Sequence, residues 1–152
     1  MSLRTRLSDD MKNAMRAKDE RVLATVRLIL AALKDKDIAA RPKGITAIPD
    51  EDIMQMMNGM IKQRRDSIAL YQQGNRPELA QQEQAEIDVI QSYLPQQMSA
   101  DEVAAAVRQA VADAGAASVK DMGKVMGLLK ERFTGKMDFA SVSGIVKQQL
   151  SG

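Results

Sequence analysis

Apolar residues recur along this chain at spacings of three and four, and nowhere alternate with a period of two for long enough to build a strand. That pattern confines the chain to helices packed on helices. Leu3, Leu7, Met11, Ala14 and Met15 predict an amphipathic helix over 3–17. Asp19 stands where an N-cap belongs, ahead of a second helix whose apolar face is Leu23, Val26, Leu30 and Leu33, continuing toward Ile38. Arg41 precedes Pro42, which disfavours helix there, and Gly44 follows. Pro49 with Asp50, Glu51 and Asp52 opens a third helix, because proline suits a first turn and acids complement the positive end of the macrodipole. It runs through Ile53, Met57, Met60, Ile61, Ile68 and Tyr71 to Gly74 and Asn75. Pro77 opens a fourth, with Leu79, Ile87, Ile90 and Leu94 on one face, and Pro95 closes it.

Residues 95–99 read as a boundary. Beyond them Ser99 and Glu102 fit a capping box, predicting a helix from about 100 to 114 that Gly115 stops. Ser118 with Asp121 reads as another N-cap, Thr134-Gly135-Lys136 as a break, and Asp138 as the cap of a last helix carrying Val142, Ile145, Val146 and Leu150. The expected architecture is all-α, with a four-helix N-terminal domain over 1–95 and a small three-helix domain over 96–152. Aromatics are 3% of the chain, so both cores must be aliphatic and rich in methionine.

The run from Lys120 to Lys130 breaks a rule of its own helix. Gly123 and Gly127 sit four apart inside it, and each glycine costs a helix interior about 1 kcal/mol relative to alanine. Lys120 and Lys124 have the same spacing, and Lys130, Arg132 and Lys136 extend the charge. From 118 onward there are six basic residues (these five and Lys147) against Asp121, Glu131 and Asp138. One reading is that the glycines let a neighbouring helix pack closely while the lysines are ordinary solvated charges. The other is that an anionic ligand, nucleic acid first among candidates, approaches the bare backbone. In that case Phe133 and Phe139 are the only aromatics nearby, and both are needed for a small core. Base stacking then lacks a platform, and recognition falls to the backbone and shape of folded RNA, weak and strongly salt-dependent.

Other constellations read as structure. Arg64 falls on the apolar face of the third helix, so Arg64 or Arg65 can reach Glu83 or Glu86 across an antiparallel pair of helices. Arg27, set among Val22, Leu23, Val26 and Leu30, can pair in the same way. The methionines Met54, Met56, Met57 and Met60 fit either a core or an adaptable protein-binding face.

The chain of 152 residues has no cysteine and no histidine, which removes disulfides, thiolate chemistry and the commonest general base and zinc ligand. No Walker loop, dinucleotide fingerprint or nucleophile elbow is present. The expectations are no catalytic residues, no metal and no cofactor. No stretch approaches the roughly 20 apolar residues of a membrane span, and the N-terminus lacks a signal core, so the expectation is a cytoplasmic protein.

Five segments carry a resemblance: Met11 through Asp19; Lys62 through Ser67; Arg76 through Glu83 with Glu86 and Ile87; Tyr93-Leu94-Pro95; and Lys120 through Gly127 followed by Gly135 to Asp138. In order and over essentially the full length, the chain resembles the GatB/YqeY family in its free-standing, bacterial-type form. Its last segment is similar to the tail of the B subunit of the glutamine-dependent Asp/Glu-tRNA amidotransferase. The resemblance implies a four-helix domain followed by a three-helix one. It implies that Lys120, Gly123, Lys124 and Gly127 contact tRNA, with Lys130, Gly135 and Lys136 beside them. It links the family to carbon–nitrogen ligase activity with glutamine as amido donor. The catalytic cradle of the amidotransferase and its partner amidase have no counterpart here. The implied role is therefore a tRNA-binding accessory protein, which could serve transamidation as one component of a complex. The alternative is a module that grips a protein partner through the methionine-rich N-terminal helices.

Overall fold

A computed structural model describes residues 2–151. Among them every regular element is helical, and the chain forms two compact units, Met1–Leu94 and Pro95–Gly152.

The first unit holds α1 (Leu3–Ala17), α2 (Glu20–Ala40), α3 (Asp50–Gln73) and α4 (Pro77–Gln91). Local chemistry sets the boundaries. The Ser2 side chain accepts from the Thr5 N–H, and α1 closes at Lys18 in the left-handed region, φ 58°. Asp19 caps α2 through the Val22 N–H at 3.2 Å. A 3₁₀ turn over Arg41–Lys43 follows, and Gly44 supplies a φ of 78° to leave it. The core joins Leu7, Val26, Ile29, Ile53, Met57, Ile87 and Ile90, all essentially sealed from solvent. Met56 and Met60 are buried with them and Met54 partly so, which makes the methionine cluster core.

The buried stripe of α2 departs from its sequence reading. Thr25, Val26, Ile29 and Leu33 are buried, Leu23 and Leu30 only half so, and Ile38 is exposed. The helix packs on α1, α3 and α4 together, so its inward face is wider than one stripe and centred elsewhere. Thr25 is accommodated there because its hydroxyl donates to the Arg21 carbonyl at 3.1 Å.

Long-range polar contacts fasten this unit. Arg4 forks onto Asp37 at 2.8 and 2.6 Å and reaches the Ile48 carbonyl at 3.1 Å. The Ile48 N–H donates to Asp37 at 2.9 Å, so one carboxylate ties α1, α2 and the loop before α3. The Arg4 guanidinium and the Ile48 amide hold the Asp37 carboxyl down to about 2. Tyr93 donates to Asp10 at 2.6 Å, with Arg6 above its ring at 5.0 Å. Burial, then the bond to Asp10, pushes the Tyr93 hydroxyl up.

The second unit is α5 (Ala100–Ala114), α6 (Met122–Arg132) and α7 (Phe139–Ser151), each packed on the other two. Ser99 and Glu102 form both halves of a capping box, and Gly115 ends α5 at φ 61°. Val107, Ala110, Val125, Leu129 and Val146 form a sealed aliphatic core, against which Phe133 and Phe139 are partly buried.

Candidate nucleic-acid interface

Val125 and Leu129 point α6 inward and have no solvent exposure, which fixes the rotation of the helix. At 3.6 residues per turn, Gly123 and Gly127 then lie on the opposite side. Both are exposed, and a Cβ built on either would meet nothing within 4 Å. The reading in which these glycines admit a packed helix is therefore corrected: the face is bare. Gly144 of α7 is exposed and open in the same way.

Positive charge flanks this face. Lys120, Lys124, Lys130, Lys136 and Lys147 are exposed, and none takes part in an ion pair among the described residues. Two adjustments follow. Lys120 lies in a 3₁₀ turn, Val119–Asp121, ahead of α6, so it does not share the α-helical repeat of Lys124. The cause is the cap: Ser118 accepts from Lys120 N–H at 3.3 Å, while Asp121 turns back to the Ala117 N–H at 2.9 Å. That bond, and the charge of Lys124 nearby, hold the Asp121 carboxyl below its ordinary range. Arg132 leaves the patch, because Asp113 of α5 binds it at 2.8 Å.

The turn after α6 is fastened at every step. Thr134 donates its hydroxyl to the Lys130 carbonyl at 2.6 Å. Gly135 is buried with φ 75°, a conformation that favours glycine, so it shapes the turn and offers a ligand no surface. Its carbonyl accepts from the Gln97 side chain at 2.7 Å. The backbone of Lys136 is bonded on both sides, from its N–H to Phe133 and from the Met98 N–H to its carbonyl. No local signal in the sequence marks Gln97, since its partner lies 38 residues away.

The expected ion pairs resolve to one. Arg64 meets Glu86 at 2.8 Å with both side chains largely buried, and its guanidinium also donates to the Met60 carbonyl at 3.1 Å. Arg65 and Arg27 point to solvent, and Glu83 is half-buried; among the described residues none of the three is in an ion pair. Arg64 wins because it alone of the three arginines sits on a helix face turned toward α4. Met56 and Met60 show only their edges, in an open groove of about 580 Å³ beside α3, with Ala32, Ile48, Lys36 and Asp52. Among the described residues no group of three or more acids is placed to hold a metal ion, and no helix is long and apolar enough to cross a membrane.

Fold and surface together define a class: an all-α protein of two helical units, the smaller carrying a bare glycine face flanked by unpaired lysines. More particularly, the chain belongs to the YqeY-like proteins, whose family model matches residues 4–150. Among curated proteins it is similar to "Altered inheritance of mitochondria protein 41, mitochondrial" of Saccharomyces cerevisiae, 37% identical over 90 residues that cover 59% of this chain and 47% of the relative. The protein of the same name from Lachancea thermotolerans is also 37% identical, over 59% of this chain and 46% of its own. That of Eremothecium gossypii is 38% identical over 58% and 46%. The chain spans about half the length of the curated relatives it matches. By name these relatives are mitochondrial, where the sequence led to a bacterial-type, cytoplasmic expectation.

Proposed function

We propose that this protein is a non-catalytic accessory that binds tRNA through its smaller unit, in a role related to glutamine-dependent tRNA amidotransferase. The observation that carries this reading is the open glycine face of α6. Of two solvent-facing glycines in an 11-residue helix, Gly127 in its interior gives up about 1 kcal/mol of helix propensity and Gly123, in the first turn, gives up less. Among the described residues nothing packs against them in return. A surface kept bare at that cost suits a ligand whose own backbone must come close.

The flanking lysines select the ligand's chemistry. They are spread over the turn before α6, α6 itself, the turn after it and α7, and they match a run of phosphates better than a single anion. Phe133 and Phe139 are engaged with the core, so unstacked bases find no aromatic platform. Contacts to phosphate and 2′-hydroxyl groups on a folded RNA remain. Similarity of this unit to the amidotransferase tail, and participation in a transamidation complex, belong to the same proposal. The relatives' mitochondrial names agree with it as well as a cytoplasmic place does, since tRNA serves both compartments.

Titration with tRNA at two salt concentrations tests the reading. Binding at low salt should weaken steeply as salt rises. Lys120→Glu with Lys124→Glu should abolish most of it, because each change removes one cation and adds one anion. Absence of binding at low salt, or binding indifferent to the double variant, would sink the proposal.

The groove bordered by Met56 and Met60 favours a second reading, in which the first unit holds a protein partner. A nuclease-resistant complex retained by residues 1–95 alone would favour it over RNA docking.

A further inference from the structure

The turn that carries Lys136 is fixed by residues far from it in sequence. Gln97 bridges two carbonyls, that of Pro95 at 2.9 Å and that of Gly135 at 2.7 Å. Both neighbours are acceptors, so the side chain must present its amide nitrogen and spends both of its donors there. One residue on, the Met98 N–H donates to the Lys136 carbonyl at 3.0 Å. The Lys136 N–H is held in turn by the Phe133 carbonyl at 2.9 Å. The main chain of Lys136 is thereby clamped on both sides while its side chain stays in solvent.

Such a clamp is more than a loop of this kind needs for folding. Gly135 already supplies the left-handed turn, and Thr134 already closes the end of α6. What Gln97 adds is a fixed origin for an exposed lysine. A lysine on a mobile loop must give up backbone as well as side-chain freedom to meet a phosphate, more than one solvated contact returns, so it stays off the phosphate; one on a clamped turn gives up only side-chain freedom and makes the contact.

We infer that Gln97 is a positioning residue, holding the Gly135–Lys136 turn so that Lys136 meets the phosphate backbone of a folded RNA. The inference rests on the RNA-docking reading of the smaller unit. Gln97 touches no RNA itself. It acts through the carbonyl of Gly135, and the segment from Pro95 to Met98 becomes part of the docking device rather than a passive connection.

The test is a double-variant cycle read by salt dependence. Unfractionated tRNA is titrated onto the full-length chain as wild type, Lys136→Ala, Gln97→Met and both together, across a range of salt. Lys136→Ala should weaken binding on the order of fivefold and lower the magnitude of the salt slope by about 0.7–0.9, the contribution of one phosphate contact. Gln97→Met keeps the side chain's length without its donors, and should produce the same two changes. The double variant should bind no more weakly than the weaker single one. A partly unfolded variant lowers the active fraction and leaves the slope alone, so the slope separates positioning from stability. A Gln97→Met slope equal to wild type, or effects that multiply in the double variant, overturns the role of Gln97 and leaves RNA docking standing. Wild-type protein that fails to bind tRNA at low salt overturns both.

Discussion

The two units use the same helical grammar for opposite ends. In the first, polar side chains point at one another: Arg4 at Asp37 and Arg64 at Glu86 as ion pairs, and the Tyr93 hydroxyl at Asp10. Each contact joins residues 22 to 83 positions apart, so polar pairing there fixes the arrangement of helices. In the second, lysines stand unpaired around two glycines that face outward, and the core is a small aliphatic cluster. The first unit ties distant helices together with ion pairs; the second pairs Arg132 with Asp113 but leaves its lysines free and accepts a weaker helix. Units that differ in this way should fail differently.

The largest effect should come from the small core. Leu129 is fully enclosed, and Leu129→Ala should cost about 3–5 kcal/mol. A unit of this size holds only about that much stability. Amide signals of residues 100–151 should therefore collapse in a two-dimensional NMR spectrum, while those of 3–91 keep their dispersion. Loss of both sets together would mean that the units are not separate in energy, and the contrast between them would break.

A smaller effect should come from the clamp of the first unit. Asp37→Asn weakens a bond to a charged group and should cost about 2 kcal/mol near neutral pH. The Asp37 carboxyl is held down to about 2, below the ordinary value of about 3.9 in an unfolded chain. A depressed folded-state value stabilises fully above about pH 4, and that contribution is lost as pH falls toward 2. Urea unfolding of wild type and Asp37→Asn at pH 6, 4 and 2 should give curves that converge at the acid end. A gap that persists at pH 2 would show that shape, rather than charge, is what Asp37 supplies.

These contrasts were unequally legible in the sequence. Helix ends were readable because their causes are local: Asp19, Pro49, Pro77, Ser99 and Gly115 each act within a turn of where they stand. The buried stripe of α2 was misread at Leu23, Leu30 and Ile38 because three neighbours, not one, decide what it buries. Arg4 with Asp37, and Gln97 with Gly135, had no signature at all, since nothing near either partner depends on the other until the chain is folded. The glycines of α6 were visible as an anomaly, but periodicity alone could not say whether a helix or solvent lay over them.

That last ambiguity supports the sharpest test, although its energies are the smallest. Gly123 and Gly127 have helical backbones with no positive φ, and a methyl group at either would meet open space. Gly123→Ala and Gly127→Ala should each stabilise the smaller unit by about 0.4–1 kcal/mol, by restricting the unfolded chain and favouring the helix. If the face receives an RNA backbone, the same methyl groups must hold that backbone away, and affinity for tRNA should fall as the melting midpoint rises. Opposite signs in the two measurements are what a docking surface demands of a glycine. A variant that is more stable and binds equally well would leave the lysines as the whole of the interface and the glycines without a function in it.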